Sequence, residues 1–500
     1  MSGSGQAGSG QAGSGQGGSG RDRAPRPDRA ARQDRAPRPD SGRPTYVVQP
    51  ARRVAYEVIE AVRESDAYAN LLLPTRIQRA ALNTADAALA TELTYGTLRM
   101  QGFYDRVIAE AAGRPVTAID PAILDVLRLG AHQLLATRVA THAAVNESVE
   151  LARQVGSRSA TGFTNGVLRA IARVSADEWR ERILADTTTP DDALAALYSH
   201  PVWVVRAFRQ SLRQEGREAE LEALLAADNA APRVNMVALP GLAEITAELG
   251  EPNDFSPTGF VLAGGDPHHL MKDSDGRLRV QDEGSQLAAL ALSRARPIVE
   301  GERWLDLCAG PGGKAALLAA EALNGGATLV ANEVVPARAQ LVRAALAAVP
   351  ADVPVWEMDG TWVGEDQPEA FDRILLDAPC TGLGALRRRP EARWRKLPKD
   401  VAELSDLQSA LIHAALGALK PGGILAYVTC SPHIAETRGI VATARKAWGD
   451  KVVALDTAAV LQGLTVHPLD LAGDPGSVQL WPHRHGTDAM FITLLQRQAD

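Results

Sequence analysis

The chain has 500 residues, 45% of them hydrophobic, and a formal net charge of −7. That length is enough for roughly three domains of about 150 residues. A Gly/Ser/Gln tract without an apolar core follows Met1, and no apolar run reaches the ~18 residues of a membrane span, so the expected protein is neither secreted nor membrane-inserted but cytoplasmic.

The first segment, residues 1–44, repeats GSGQA and then DRAPRPD, at 22–28 and 34–40. It is too poor in apolar residues to offset the entropy of ordering and reads as a disordered tail. Residues 45–178 show apolar side chains at helical spacing, as in Val54, Val58, Ile59 and Val62, or Ile123, Leu124, Leu127 and Leu134. An all-α domain is expected there. Residues 179–275 read as a helical linker reaching about residue 227, followed by a small α/β unit with strands in 233–239 and 259–263.

From 276 to 500 short apolar runs alternate with amphipathic helices. Strands are expected at 303–307, 328–332, 353–358, 371–377 and 423–429, which implies a parallel sheet covered on both faces. In such sheets ligands bind beyond the carboxyl ends of the strands. Asp306 with Cys308, Glu333, Asp359, Asp377 and Cys430 all fall at or just past those ends, so five segments converge on one edge.

After the first of these strands comes Asp306-Leu-Cys-Ala-Gly-Pro-Gly-Gly-Lys-Ala315, a glycine-rich turn leading into a helix. Its glycines allow close backbone approach to a ligand, and the helix start offers free N–H groups. It is not a triphosphate loop, because Cys308 stands where such a loop has Gly and Ala315 where it has Ser or Thr. Glu333, a little over 20 residues beyond the turn, suits the hydroxyls of a ribose, and Asp359 suits an adenine amino group. A nucleoside-bearing cofactor fits this set.

Cys308, Cys380 and Cys430 are the three cysteines of the chain, without the spacing of zinc sites or disulfide scaffolds. Cys380 lies in Asp377-Ala-Pro-Cys-Thr-Gly-Leu-Gly384, and Cys430 in Tyr427-Val-Thr-Cys-Ser-Pro432. Ser431 and Pro432 read as the cap and first turn of a helix, which would place Cys430 at a positive helix end and favour its thiolate. Cys308 reads as packing or backbone contact. His483 and His485 lack partners at ligand spacing, so no metal is expected. The overall acidity argues weakly against nucleic acid. Residues 1–50, however, carry eight Arg against four Asp, and Arg387, Arg388, Arg389, Arg393, Arg395 and Lys396 form one dense basic segment. Arg387, Arg388 and Arg393 are candidate contacts for RNA phosphates.

Gln281-Asp-Glu-Gly-Ser-Gln286, Leu307–Lys314, Asp377-Ala-Pro-Cys380, the Arg387–Trp394 stretch and Thr429-Cys-Ser431 together resemble the Sun/Fmu-type RNA cytosine-C5 methyltransferases, a family that includes the bacterial small-subunit ribosomal RNA methyltransferase B. Val145-Asn-Glu-Ser-Val-Glu150 and Phe163-Thr-Asn-Gly-Val-Leu168 resemble a NusB-like RNA-binding domain. The likeness implies a class I (Rossmann-like) methyltransferase domain behind the NusB-like domain and the linker, and S-adenosylmethionine as cofactor. It implies cofactor contacts from Cys308, Ala309, Gly310, Pro311, Gly312, Gly313, Lys314, Glu333, Asp359 and Asp377. Cys430 would be the nucleophile, with Cys380 releasing product and Asp377 and Lys314 assisting.

The expected partner is RNA, foremost small-subunit ribosomal RNA, and the expected state a monomer. Alternatives are a transfer-RNA or DNA cytosine-C5 methyltransferase, the DNA type using Cys380 as nucleophile, or a noncatalytic RNA-binding assembly factor. Two departures touch the likeness: Glu436-Thr437 stands where the family has Glu-Asn, and Asp488-Ala-Met-Phe491 where it has Asp-Gly-Phe-Phe.

Overall fold

The computed structural model describes residues 47–65 and 67–499; the expected tail at 1–44 lies outside them. Helices run from Pro50–Glu64 to Arg158–Ile171 without an intervening strand among the described residues. Their apolar stripes close into one core that includes Val54, Val58, Ile59, Ile123, Leu124 and Leu127. Local signals mark the helix starts. Asp120 caps Pro121–Ala136, and Ser175 and Glu178 form a reciprocal capping box on Ala176–Ala185. Three further helices, Pro190–Leu197, Val202–Gln214 and Leu221–Ala227, lead to the small unit.

That unit is an antiparallel sheet of β1 (Asn235–Ala238), β2 (Gly250–Pro252), β3 (Gly259–Leu262) and β4 (Leu278–Val280), in the order β2-β3-β1-β4. Its two inner strands fall inside the expected stretches. The two edges, three residues each, carry no alternating pattern by which a sequence reader could find them.

The large sheet contains β5 (Arg303–Asp306), β6 (Thr328–Asn332), β7 (Val355–Trp356), β8 (Phe371–Asp377), β9 (Leu419–Thr429), β10 (Val452–Ala454), β11 (Ser477–Gln479) and β12 (Phe491–Arg497). Its order is β10-β12-β9-β8-β5-β6-β7, with β11 also paired to β12. Strands β5 to β9 run parallel, while β12 is antiparallel to β9. β9 begins at Leu419 rather than Gly423, because Lys420–Gly422 form an irregularity where its register with β8 shifts. This is the class I methyltransferase sheet, and the chain order reverses on either side of β5, which creates a crevice at the carboxyl end of that strand. One face packs Leu287, Leu290, Leu317 and Leu318, the other Leu411, Ile412 and Leu416, all fully or nearly fully buried.

Gln281–Gln286 fastens the small sheet to this domain. Gln286 Nε2 donates to the carbonyls of Met236 and Gln281, and Glu283 Oε1 accepts the amides of Phe255 and Ser256.

Candidate active site

The turn after β5 lies on the crevice. Ala309 N–H donates to Asn332 C=O at 2.8 Å, and Gly310 N–H to Glu333 Oε2 at 3.1 Å, which ties the turn to the end of β6. A Cβ on Gly310 would lie 2.1 Å from that same carboxylate oxygen, so only glycine permits the contact. Gly312 adopts φ 103° at the start of helix Gly313–Gly325, a backbone region that favours glycine. Pro311 is exposed, Gly313 half-buried and Ala309 buried. Glu333 is buried and lies 3.3 Å from Arg338, and its Oε1 accepts Val335 N–H. Asp359 is exposed and caps the turn Gly360–Trp362 through Thr361.

Asp306 closes the bottom of the crevice. Its side chain is wholly buried and short of hydrogen-bond partners, and burial followed by the charge of Asp377 pushes its carboxyl up to about 8 against the opposing pull of Lys314 and the Cys308 amide. A buried carboxylate of this kind is costly unless a ligand supplies the missing partner. With Glu333, Asp359 and Asp377 around the glycine turn, the donor set suits a cationic nucleoside bearing an ammonium group. S-adenosylmethionine is such a molecule.

The thiols occupy the same edge. Cys380 follows β8, Cys430 follows β9, and their sulfurs are 3.4 Å apart. Beside them Lys314 Nζ donates to Asp377 Oδ2 at 2.8 Å. The pair is electrically asymmetric. The hydrogen bond from Cys380 lowers the Cys430 thiol, with Lys314 and Arg389 assisting against burial and Asp377. The Cys380 thiol is raised by its bond to Cys430, by burial and by the charge of Glu436. Cys308 packs against the core cluster that contains Leu305, Leu307 and Leu376, and burial raises its thiol.

One expectation is corrected here. No helix starts at Pro432: a short turn at Ile434–Glu436 intervenes and the next helix is Arg438–Trp448. The low Cys430 thiol therefore comes from its neighbours and not from a helix end.

Sequence reading met Glu436 only as the neighbour of Thr437 and gave it no role. Fully buried, it accepts Thr381 N–H at 2.7 Å, Thr381 Oγ1 at 2.5 Å and Ser431 Oγ at 2.6 Å. Thr381 adjoins Cys380 and Ser431 adjoins Cys430, so one carboxylate knots both thiol loops. Gly384 completes the knot through its N–H bond to Cys430 C=O at 2.8 Å, and a Cβ there would meet Ala489 O at 2.1 Å. An acidic residue six positions after Cys430 was the available signal, but its partners become visible only in three dimensions.

The arginine segment also differs from expectation. Arg387 and Arg388 each bridge Asp282 and Asp488, and Arg387 is 6% exposed. Arg393 is fully buried and donates to the carbonyls of Arg99, Ser199 and Asp228 and to Asn229 Oδ1. The Arg387 and Arg393 guanidinium groups are committed inside the protein, where phosphate contact does not fit, and half-buried Arg388 is already paired with the two carboxylates. Asp488 retains its partners despite the neighbouring Ala489-Met490, and Thr437 Oγ1 donates to His433 C=O. His483 lies 2.9 Å from Glu220, and His485 Nδ1 accepts Trp481 N–H. No cluster of three potential metal ligands occurs among the described residues, and no described helix is long and apolar enough to cross a membrane.

Residues 295–496 match the family model described as 16S rRNA methyltransferase RsmB/F, and residues 49–173 match the NusB family. The Mycobacterium tuberculosis protein Rv1407, by name a methyltransferase, is 47% identical over 455 residues, covering 90% of this chain and 97% of its own. Ribosomal RNA small subunit methyltransferase B of Salmonella paratyphi B is 33% identical over 406 residues, covering 78% and 89%. The crystal structure of PH0851 shares the fold with a TM-score of 0.73 at 22% identity, across 90% of this chain and 100% of that one. Sheet order, glycine turn and matched segments agree, and the chain belongs to the RsmB/F family of S-adenosylmethionine-dependent RNA methyltransferases, with an amino-terminal NusB-family domain.

Proposed function

We infer that this enzyme forms 5-methylcytosine in small-subunit ribosomal RNA through a covalent bond between Cys430 and carbon 6 of the target base. The observation that carries this reading is the pair of unlike thiols 3.4 Å apart beside the Lys314–Asp377 ion pair. Carbon 5 of cytosine is a poor nucleophile. Addition of the Cys430 thiolate to carbon 6 makes it an enamine carbon, which divides one difficult step into easier ones.

Asp377, held by Lys314, faces the developing charge on the amino group and ring nitrogen of the base and handles the proton taken up there. S-adenosylmethionine supplies an electrophilic sulfonium methyl; the glycine turn with Cys308–Lys314, Glu333, Asp359 and Asp306 would hold it.

Once Cys430 sulfur is bonded to carbon it no longer carries charge, and Cys380 can release its proton to solvent, the one net proton of the reaction, and act as a base. Cys380 then takes the proton from carbon 5, the ring double bond re-forms and the carbon–sulfur bond breaks. The electron pair returns to Cys430, which restores the starting thiol and thiolate. The name of the Salmonella relative supports ribosomal RNA as the substrate. Mapping methylated cytosines in cells with and without the gene tests this: a position in small-subunit ribosomal RNA should lose its methyl group. Loss confined to transfer RNA or DNA, or an unchanged map, contradicts it.

A further inference from the structure

The stretch that follows the first helix of the helical domain touches the arginine segment beyond Cys380, and the catalytic domain holds it in place. Arg395 Nη2 donates to the carbonyls of Val62 at 2.7 Å and Ala67 at 2.6 Å, while Glu391 Oε1 accepts Ala69 N–H at 3.1 Å. Between these anchors stands Tyr68, 42% exposed, with the guanidinium carbons of Arg395 and Arg389 at 5.3 and 5.4 Å from its ring centroid.

Arg389 differs from the arginines around it. It is exposed, and its guanidinium makes no hydrogen bond or ion pair among the described residues. Its amide is bonded to Ala385 C=O at 2.9 Å, one residue beyond the Gly384 amide that holds Cys430 C=O at 2.8 Å. The guanidinium, which rests over the Tyr68 ring, therefore hangs from the loop that packs on Cys430, and its charge helps lower that thiol.

A base that undergoes addition at carbon 6 must leave its stack. That exposes the face of the neighbouring base and turns the intervening phosphate toward the mouth of the site. Aromatic rings take bare base faces, and arginine takes phosphate. Resting on the proposed function, we propose that Tyr68 and Arg389 form a subsite for the nucleotide adjoining the target cytidine: the Tyr68 ring stacks on its base and Arg389 pairs with the phosphate between the two. The RNA-binding domain thus contributes a residue to the catalytic mouth.

The test is binding of a small-subunit ribosomal RNA transcript to the full chain carrying Cys430→Ala, measured across salt concentrations. Added Tyr68→Leu should weaken binding about five- to a hundredfold, and Tyr68→Phe should not, because stacking needs the ring and not the hydroxyl. Arg389→Gln should reduce the slope of log affinity against log salt by about 1. Tyr68→Leu within twofold of its parent, equal losses with Leu and Phe, or an unchanged slope with Arg389→Gln would overturn the subsite. If Tyr68→Leu lowers the melting temperature, the Arg389→Gln slope decides alone. A native chain that fails to methylate the transcript would instead overturn the function on which the subsite rests.

Discussion

Asp306 and the two thiols concentrate the chemistry of this chain in side chains whose surroundings shift their ionisation, against it for Asp306 and Cys380 and toward it for Cys430. The Asp306 carboxyl, pushed up to about 8 by burial, keeps a proton that the unfolded chain releases near pH 4. The native state thus binds more protons over that window, and stability from this group falls as pH rises from about 4 to 8. Asp306→Asn should remove that fall and stabilise the ligand-free protein near pH 8 by about 1–3 kcal/mol. Melting curves taken against pH, with calorimetry of S-adenosylmethionine binding, check this. The variant should bind the cofactor more weakly, and unchanged affinity would place the ammonium contact elsewhere.

At the scale of loops and strands, Glu436 holds two segments that β8 and β9 bring side by side. Glu436→Gln keeps the volume but replaces one acceptor oxygen with a donor facing Thr381 or Ser431, so the thiol loops should separate slightly. Misplacement of about 1 Å costs on the order of a hundredfold in rate. Turnover should fall by that order with cofactor affinity unchanged, and loss of the nearby charge should shift the inflection from Cys380 in the pH–rate profile downward. Equal losses in turnover and cofactor affinity would indicate general disruption instead.

The glycine turn and the acidic strand ends were legible because strand, turn and helix are consecutive in the chain and each leaves a local pattern. The antiparallel β10, β11 and β12 were not, since two are three residues long. Ser431-Pro432 has the form of a helix start, yet the chain turns first at Ile434–Glu436, where the Tyr427 hydroxyl donates to Glu436 C=O at 2.8 Å. That contact depends on burial of β9 and leaves no trace in local sequence. Three members of the dense arginine run were misleading for the same reason: the carboxylate and carbonyl partners of Arg387, Arg388 and Arg393 lie a hundred or more residues away.

For the whole molecule, Arg393 is the clasp. Its guanidinium joins a carbonyl of helix Thr84–Arg99, two groups around Asp228 and Asn229, and the segment that precedes helix Pro398–Ala418. Removing it would leave several buried acceptors without donors, at about 1–3 kcal/mol each before relaxation. Arg393→Met should therefore loosen the helical domain from the catalytic domain. Calorimetric unfolding should then occur at lower temperature, with the two domains melting separately, and RNA methylation should fall further than cofactor binding. A single transition at the native temperature would show that other contacts suffice.

The central claim, that Cys430 attacks the base and Cys380 acts only afterwards, is tested most directly by trapping the covalent complex. Labelled small-subunit ribosomal RNA and S-adenosylmethionine are incubated with each single variant and the double variant, then separated on a denaturing gel. A shifted band is expected with Cys380→Ala, because the bond forms and cannot be released. None is expected with Cys430→Ala or with both thiols removed. A band that appears with Cys430→Ala and vanishes when Cys380 is also replaced would reverse the two roles and contradict the account.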